Sequence, residues 1–494
     1  MLVHDILRRG QDNDDAIYSN LGGFTYLGLR VAAENCRRRL YAAGVRIHDR
    51  VAIYSRNRAE FIAAYMAISA LGAVVVPINF QLSMRETAYI LKNAGIHHIL
   101  VDKPLALDAA ISALDYESVQ QIDIGASIDP TTLPPPPPLP KDFGPDEPCT
   151  IIYTSGTTGS PKGAVLSHRN LVMNAIDMQQ QVHIARHDNV LCVLPMYHCF
   201  AWTCAVMTEL SVGATITILD AFTPKKTIDV TRALKVTIIV MVPSILSLVT
   251  KLATSEDMKS LRYVILGGTK LPLPVAQAFT DKFHLPIVEG YGLSEASPVV
   301  TMNPPEATRE GSVGPAIPDV KVRIVDAHDH DVKVGEPGEL LVQGPNVMHG
   351  YFNLPEATAA ALRDGWLHTG DVATMDEDGY VYIVDRIKDM IISMGENIYP
   401  REIEELVYAF PGIHEAAVIA IEDKLRGQAG CCYYSVQPDS YVEVRALKKY
   451  LQQNLALFKI PREFRQIDEL PKTATGKIAK RELENMYKQE ASRK

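Results

Sequence analysis

The chain has 494 residues, 47% of them hydrophobic and 22% charged, which is too long for one core and predicts two or more domains. A net charge of −9 with no block of Lys and Arg excludes a nucleic-acid-binding surface. The seven cysteines form no CxxC pair and no zinc spacing, which excludes a disulfide or zinc framework and predicts reduced thiols in a cytoplasmic protein.

The first residues, MLVHDILRRGQ, lack the long apolar core of a signal peptide. Helical patterns over 27–43, 59–71 and 84–93 then alternate with apolar strands over 51–54, 73–77 and 98–101. The proline run at 134–138 predicts an extended spacer.

Directly after it comes YTSGTTGSPKG, residues 153–163. Backbone N–H groups in such a loop converge on phosphate oxygens because no Cβ blocks the approach. Hydroxyls add donors, and Lys162 adds a point charge. The loop is not of the Walker type, since Gly163 follows the lysine and a short strand, Ala164 to Leu166, precedes the helix whose N-cap is Ser167.

Alternation resumes from 189 to 287, with strands at 189–195, 215–219 and 263–266. The run 236–249 is broken by Pro243 and too short to span a bilayer, so it reads as a strand ending at Val242 and a helix beginning at Pro243. The pattern is α/β with mostly parallel sheets. A strand at 285–288 leads into Gly290-Tyr291-Gly292-Leu293-Ser294-Glu295. Tyr291 offers a face on which a base stacks, Ser294 a phosphate donor and Glu295 a magnesium ligand.

From 311 to 386 short strands and Gly/Pro/Asp turns indicate a β-rich subdomain, in which His328-Asp329-His330-Asp331 reads as a solvated turn and not a metal cluster. Residues 366–371 (WLHTGD) enter a hairpin turning at 376–379. A four-residue turn sets Asp371 opposite Val384 and leaves Arg386 diagonal to it on the same face. An ion pair or a clasp for a ribose diol both fit that placement.

Residues 387–494 change texture again, with an amphipathic helix over 400–410, strands over 414–421 and 429–436, a helix over 442–455 and a strand near Arg465. Cys431 and Cys432 are expected to pack in the second strand. Leu470-Pro471-Lys472-Thr473-Ala474-Thr475-Gly476-Lys477 then presents Lys477 on a tight loop.

Together, in this order, these motifs resemble the adenylate-forming superfamily of acyl- and aryl-CoA synthetases, luciferases and nonribosomal adenylation domains. Leu194-Pro195-Met196-Tyr197-His198, Gly338-Glu339-Leu340, Gly344-Pro345 with Gly350-Tyr351, and the stretch from Lys388 to Glu404 extend the likeness over essentially the whole chain. The fold implied is α/β, with an N-terminal domain at 1–386 of two α/β subdomains plus a β-rich one, and a small mobile α+β domain at 387–494.

The resemblance implies a two-step ligation. A carboxylate attacks the α-phosphorus of ATP, and a coenzyme A thiol then attacks the acyl carbon. Thr154, Ser155, Gly156, Thr157, Thr158, Gly159 and Lys162 would hold the β- and γ-phosphates, and Thr158 with Glu295 the Mg²⁺. Gly267, Gly268, Thr269, Glu289, Gly290, Tyr291 and Gly292 would line the adenine slot, with Ser294 on phosphate. Asp371 and Arg386 would hold the ribose, and His198 would sit beside the carboxylate. Lys477 would stabilise the adenylation transition state, Lys388 marks the hinge, and the loop at Gly395 would replace Lys477 in the second step.

The sequence from 289 to 305 looks most like bacterial medium- and long-chain fatty acyl-CoA synthetases, so a fatty acid is the expected substrate. An aryl or short-chain acid is the rival, because Met196 and Trp202 can narrow the acyl channel, and an enzyme that loads a carrier protein is another. Lys270 and Ala201 depart from the usual pattern and bear on pocket shape. A homodimer and a transient membrane-surface contact stay open.

Overall fold

The computed structural model describes the whole chain except residues 20–21, 127–128, 130–131, 155–160, 394–395, 424, 439, 473–477 and 492–494. Two compact units form: Met1–Val322 with Val342–His368 and Asp378–Tyr380, and Arg323–Leu341 with Thr369–Glu377 and Val381–Lys494. The boundary expected after Arg386 falls inside the second unit, at the end of the strand Val381–Arg386.

The first unit carries two sheets flanked by helices. One has eight strands in the order Val299–Met302, Ile287–Gly292, Tyr263–Leu266, Ile238–Met241, Asn189–Cys192, Thr215–Ile218, Asp15–Ser19, Gly22–Thr25, parallel except at its two edges. Ile238–Met241 and Tyr263–Leu266 are buried at every position, as strands covered on both faces must be. Their apolar runs therefore show no alternation. The other sheet has seven strands, Gly350–Tyr351, Lys162–Ser167, Pro148–Thr154, Val74–Pro77, Arg50–Tyr54, His98–Val101 and Gln120–Asp123. Its first three pair antiparallel and the rest run parallel.

Helix ends follow the chain's own signals. Ser167 caps His168–Val182 by accepting from Asn170 N, while Asn170 returns a bond to Ser167 N. Ser83 and Glu86 do the same for Met84–Ala94, which stops at the left-handed Gly95. The helix Ala59–Ala70 is apolar nearly all round and buried to match.

The β-rich stretch forms a five-stranded sheet from Lys321–Val325, Gly338–Gln343, Trp366–Met375, Leu362–Arg363 and Val381–Arg386. In the second unit a further five-stranded sheet orders Glu396–Ile398, Ile391–Ser393, Gly427–Val436 and Ile413–Asp423, with Glu463–Gln466 parallel to Gly427–Val436. The helices Pro400–Ala409 and Val444–Asn454 cover one face through Ile403, Val407, Leu447 and Leu451. Leu483 of Lys480–Ala491 covers the other. Cys431 and Cys432 pack into these opposite faces, as a strand's alternation requires. Among the described residues no helix is long and apolar enough to cross a membrane.

Candidate active site

Thr154 ends the strand Pro148–Thr154 and Lys162 opens the strand Lys162–Ser167, and the two are directly paired. The glycine-rich loop thus joins the arms of an antiparallel hairpin, and Ser155, Gly156, Thr157, Thr158 and Gly159 lie outside the described residues. Gly163 has no room for a Cβ, which would stand 2.6 Å from the Ile151 side chain. The ammonium of Lys162 lies 5.1 Å from the centre of the Tyr351 ring.

The sequence places a strand before the Gly-Tyr-Gly motif. In the structure the strand Ile287–Gly292 contains it and changes partner midway. Ile287 to Glu289 pair in parallel with Val264 to Leu266, whereas Gly290 to Gly292 pair antiparallel with Val299–Met302. The glycines serve that second pairing. A Cβ on Gly290 would stand 2.5 Å from the Met302 side chain, and one on Gly292 2.1 Å from the Pro298 carbonyl oxygen. Tyr291, between them, is half-buried.

Gly267 and Gly268 follow the neighbouring strand, and Gly268 adopts a φ of +83°. A Cβ on Gly267 would stand 3.0 Å from the Phe200 ring and 3.5 Å from Gly290 O, so these three segments meet in one place. Thr269 is exposed beside them. Glu289 is buried and accepts from Leu271 N through Oε1, while its carbonyl accepts from Asn303 N. Its part is to tie the 267–271 turn to the strand.

His198 caps the helix Cys199–Trp202 and lies with its ring 4.7 Å from that of Tyr197. Next to it, Cys199 Sγ and Ser294 Oγ are 3.3 Å apart, which brings the His198 segment to the Ser294–Glu295 turn. Met196 and Trp202, expected to narrow an acyl channel, are instead 1% and 3% exposed in the main core. Trp202 stacks on Tyr65 at 3.9 Å.

Glu295 lies in the short turn Ser294–Ala296. Tyr351 Oη donates to its Oε1 at 2.8 Å, and its backbone oxygen accepts from Met348 N at 2.8 Å. Burial and the Glu295 carboxylate push the Tyr351 phenol above its ordinary range, so it stays a donor. Asn346 braces the same turn from below, with Nδ2 on the carbonyls of Ala296 and Val299. A carboxylate is a hard oxygen ligand and a nearby ammonium binds phosphate, so Glu295 and Lys162 suit a magnesium–nucleotide.

In the second unit, Asp371 and Arg386 are directly opposite and not diagonal. The loop holds one residue more than expected, since Met375 pairs with Val381, and the ladder slips again between Val372 and Ala373, leaving Val384 unpaired. Two slips keep the face and bring Arg386 Nε to 3.1 Å from Asp371 Oδ1. Asp371 is buried, and Lys388 lies exposed in the turn Ile387–Asp389. Gly395 and Lys477 lie outside the described residues.

Sequence reasoning gives no role to Asp385, which accepts from Arg386 N through Oδ1 and from Arg401 N at the start of the helix Pro400–Ala409 through Oδ2. Burial pushes its carboxyl up, opposed by these bonds. It also misses Lys480, whose ammonium meets Glu404 at 2.7 Å. Burial works against that charge, but Glu404 and Asp385 outweigh it. The Pro at the first helical position and the Asp before the turn are the only local signals. His328 and His330 sit in an exposed turn held by Asp326, and no metal-binding cluster occurs among the described residues.

A family model described as AMP-binding enzyme matches residues 7–352, and one described as AMP-binding enzyme C-terminal domain matches residues 402–477. A feruloyl-CoA synthase from an Amycolatopsis species is 36% identical over 97% of this chain and 98% of its own. An indoleacetate–CoA ligase from Aromatoleum aromaticum is 33% identical over 94% of this chain and 93% of its own. The solved o-succinylbenzoate CoA synthetase (MenE) from Bacillus subtilis, in complex with its acyl-adenylate, superposes with a TM-score of 0.88 at 29% identity, over 98% of both chains. The same enzyme is also solved with ATP and a magnesium ion.

Proposed function

Since the chain belongs to the AMP-binding, adenylate-forming enzymes, it is an AMP-forming acid–CoA ligase using ATP, Mg²⁺ and coenzyme A, and we propose that its acid is aromatic. The observation that carries this is the run of relatives across almost the full chain whose names give feruloyl, indoleacetate and succinylbenzoate as the acid. The fatty-acid expectation rested on one local stretch, and these relatives do not support it. The rings of Tyr197 and His198, 4.7 Å apart, lie in the segment whose Cys199 reaches Ser294, and Phe200 lies against Gly267; this gathering of aromatic groups supports a planar acid.

In the first step a carboxylate oxygen bonds to the α-phosphorus and pyrophosphate leaves. In the second, the coenzyme A sulfur bonds to the acyl carbon and AMP leaves. Mg²⁺, when bound, neutralises charge on the departing pyrophosphate. Lys162 and the loop 154–159 hold the β- and γ-phosphates, and Glu295 with Thr158 takes the metal. Gly267 to Thr269 and Glu289 to Gly292 frame adenine, with Ser294 on phosphate. Asp371 and Arg386 take the ribose, Lys477 serves adenylation, and Lys388 is the hinge of a mobile domain at 387–494 whose Gly395 loop serves thioester formation.

The deciding experiment measures pyrophosphate release and thioester formation over hydroxycinnamic, benzoic, indolic, fatty and amino acids, with and without coenzyme A. An aromatic acid should lead decanoate by at least about tenfold in kcat/KM. Decanoate leading would restore the fatty-acid reading, and adenylate without thioester would point to a carrier protein as acceptor.

A further inference from the structure

The strand Gly350–Tyr351 is only two residues long, yet it is fixed on every side. Gly350 and Tyr351 pair antiparallel with Val165 and Ala164, and Phe352 N donates to Gly163 O at 2.7 Å. Tyr351 N donates to Thr358 Oγ1 at 2.9 Å, and Gly350, at a φ of +145°, has no space for a Cβ because Thr358 would stand 2.5 Å from it. The strand therefore belongs to the same ladder as Lys162. Through Met348 N on Glu295 O it is also bonded to the acidic turn.

From this rigid position one side chain touches both charged groups. The Tyr351 hydroxyl is 2.8 Å from Glu295 Oε1, and its ring lies under the Lys162 ammonium at 5.1 Å. We propose that Tyr351 is the positioning residue of the magnesium–nucleotide site: its hydroxyl orients the Glu295 carboxylate, and its ring places the Lys162 ammonium.

The two contacts are separable by design. The hydroxyl commits one carboxylate oxygen to the protein, so a metal would meet a carboxylate whose rotamer is already held, without the entropy of fixing a free rotor. The ring holds a cation by its quadrupole and so acts on phosphate whether or not a metal is present. The proposal rests on the roles given above to Lys162 and Glu295.

Its test uses the full-length protein and its Tyr351→Phe and Tyr351→Leu variants, with calorimetric titration of ATP in excess Mg²⁺ and of ATP in EDTA. Phe keeps the ring and removes the hydroxyl, so it should weaken Mg·ATP binding about tenfold, as loss of a hydrogen bond to a charged group does, and change metal-free ATP binding less than about twofold. Leu should weaken both. In a Glu295→Gln background, Tyr351→Phe should add nothing further.

Equal losses for the two ligands in Tyr351→Phe would mean a general loosening of the strand and would overturn the proposal. So would unchanged Mg·ATP binding, or full additivity with Glu295→Gln. If the unaltered chain binds ATP in neither condition, the assignment of Lys162 and Glu295 fails first, an outcome distinct from any failure of Tyr351.

Discussion

Asp177 lies on the helix His168–Val182 at 1% exposure, and its Oδ2 has no hydrogen-bond partner. Burial, with Asp319 adding to it, raises its carboxyl from 3.8 to about 7. The group enters the fold with its proton. The stability this lends is complete below the unfolded value and lost as pH rises through about 7. Thermal midpoints measured from pH 5 to pH 8.5 should therefore fall more steeply for the parent chain than for Asp177→Asn, and parallel curves would contradict this. Glu209, fully buried and pushed well above its ordinary value by burial, also carries its proton into the fold, so it too lowers stability as pH rises, but equally in the parent and in Asp177→Asn. His168, held near 3 by burial, is uncharged in the fold, so it raises stability as pH climbs toward its ordinary 6.5, again equally in both chains.

At the scale of elements, the strand Ile287–Gly292 carries most of the nucleotide motif because it exchanges a parallel neighbour for an antiparallel one. Gly292 makes the exchange possible. Gly292→Ala would press a methyl onto the Pro298 carbonyl, 2.1 Å away, and should destabilise the chain by about 3 kcal/mol, the upper range for overpacking. Chemical denaturation measures it, and a loss below about 1 kcal/mol would show that the strands can part cheaply. The sequence disclosed the elements well where signals were local, as in the Ser167 cap and the apolar strands within 236–242 and at 263–266. It did not disclose the partner exchange or the slip at Val384, since both depend on what lies across the ladder. Tyr351 escaped for the same reason: nothing near it in sequence announces Lys162 or Glu295.

For the whole molecule, the two half-reactions are expected to draw on different residues of the small domain. Lys477→Ala should slow adenylation by about a thousandfold, the scale of losing a preorganised charge at a transition state. Thioester formation from preformed acyl-adenylate should stay within about threefold of the parent. Quenched-flow measurement of each step decides the matter, and equal losses in both would remove the case for a domain that turns between them. Family membership was legible from the ordered motifs, whereas the acid was not. On the proposed reading the acid would be met by side chains that the fold gathers, such as Tyr197 beside His198 and Phe200 over Gly267, and no single stretch of sequence displays that grouping.

The paired slips that bring Arg386 opposite Asp371 work like a parity rule on chain length. Adding or removing one residue between these two positions would turn the guanidinium to the other side of the sheet, while a change of two would return it. Length variation in this hairpin should thus be tolerated in even steps, and a hairpin of odd difference would leave Asp371 buried without its cation.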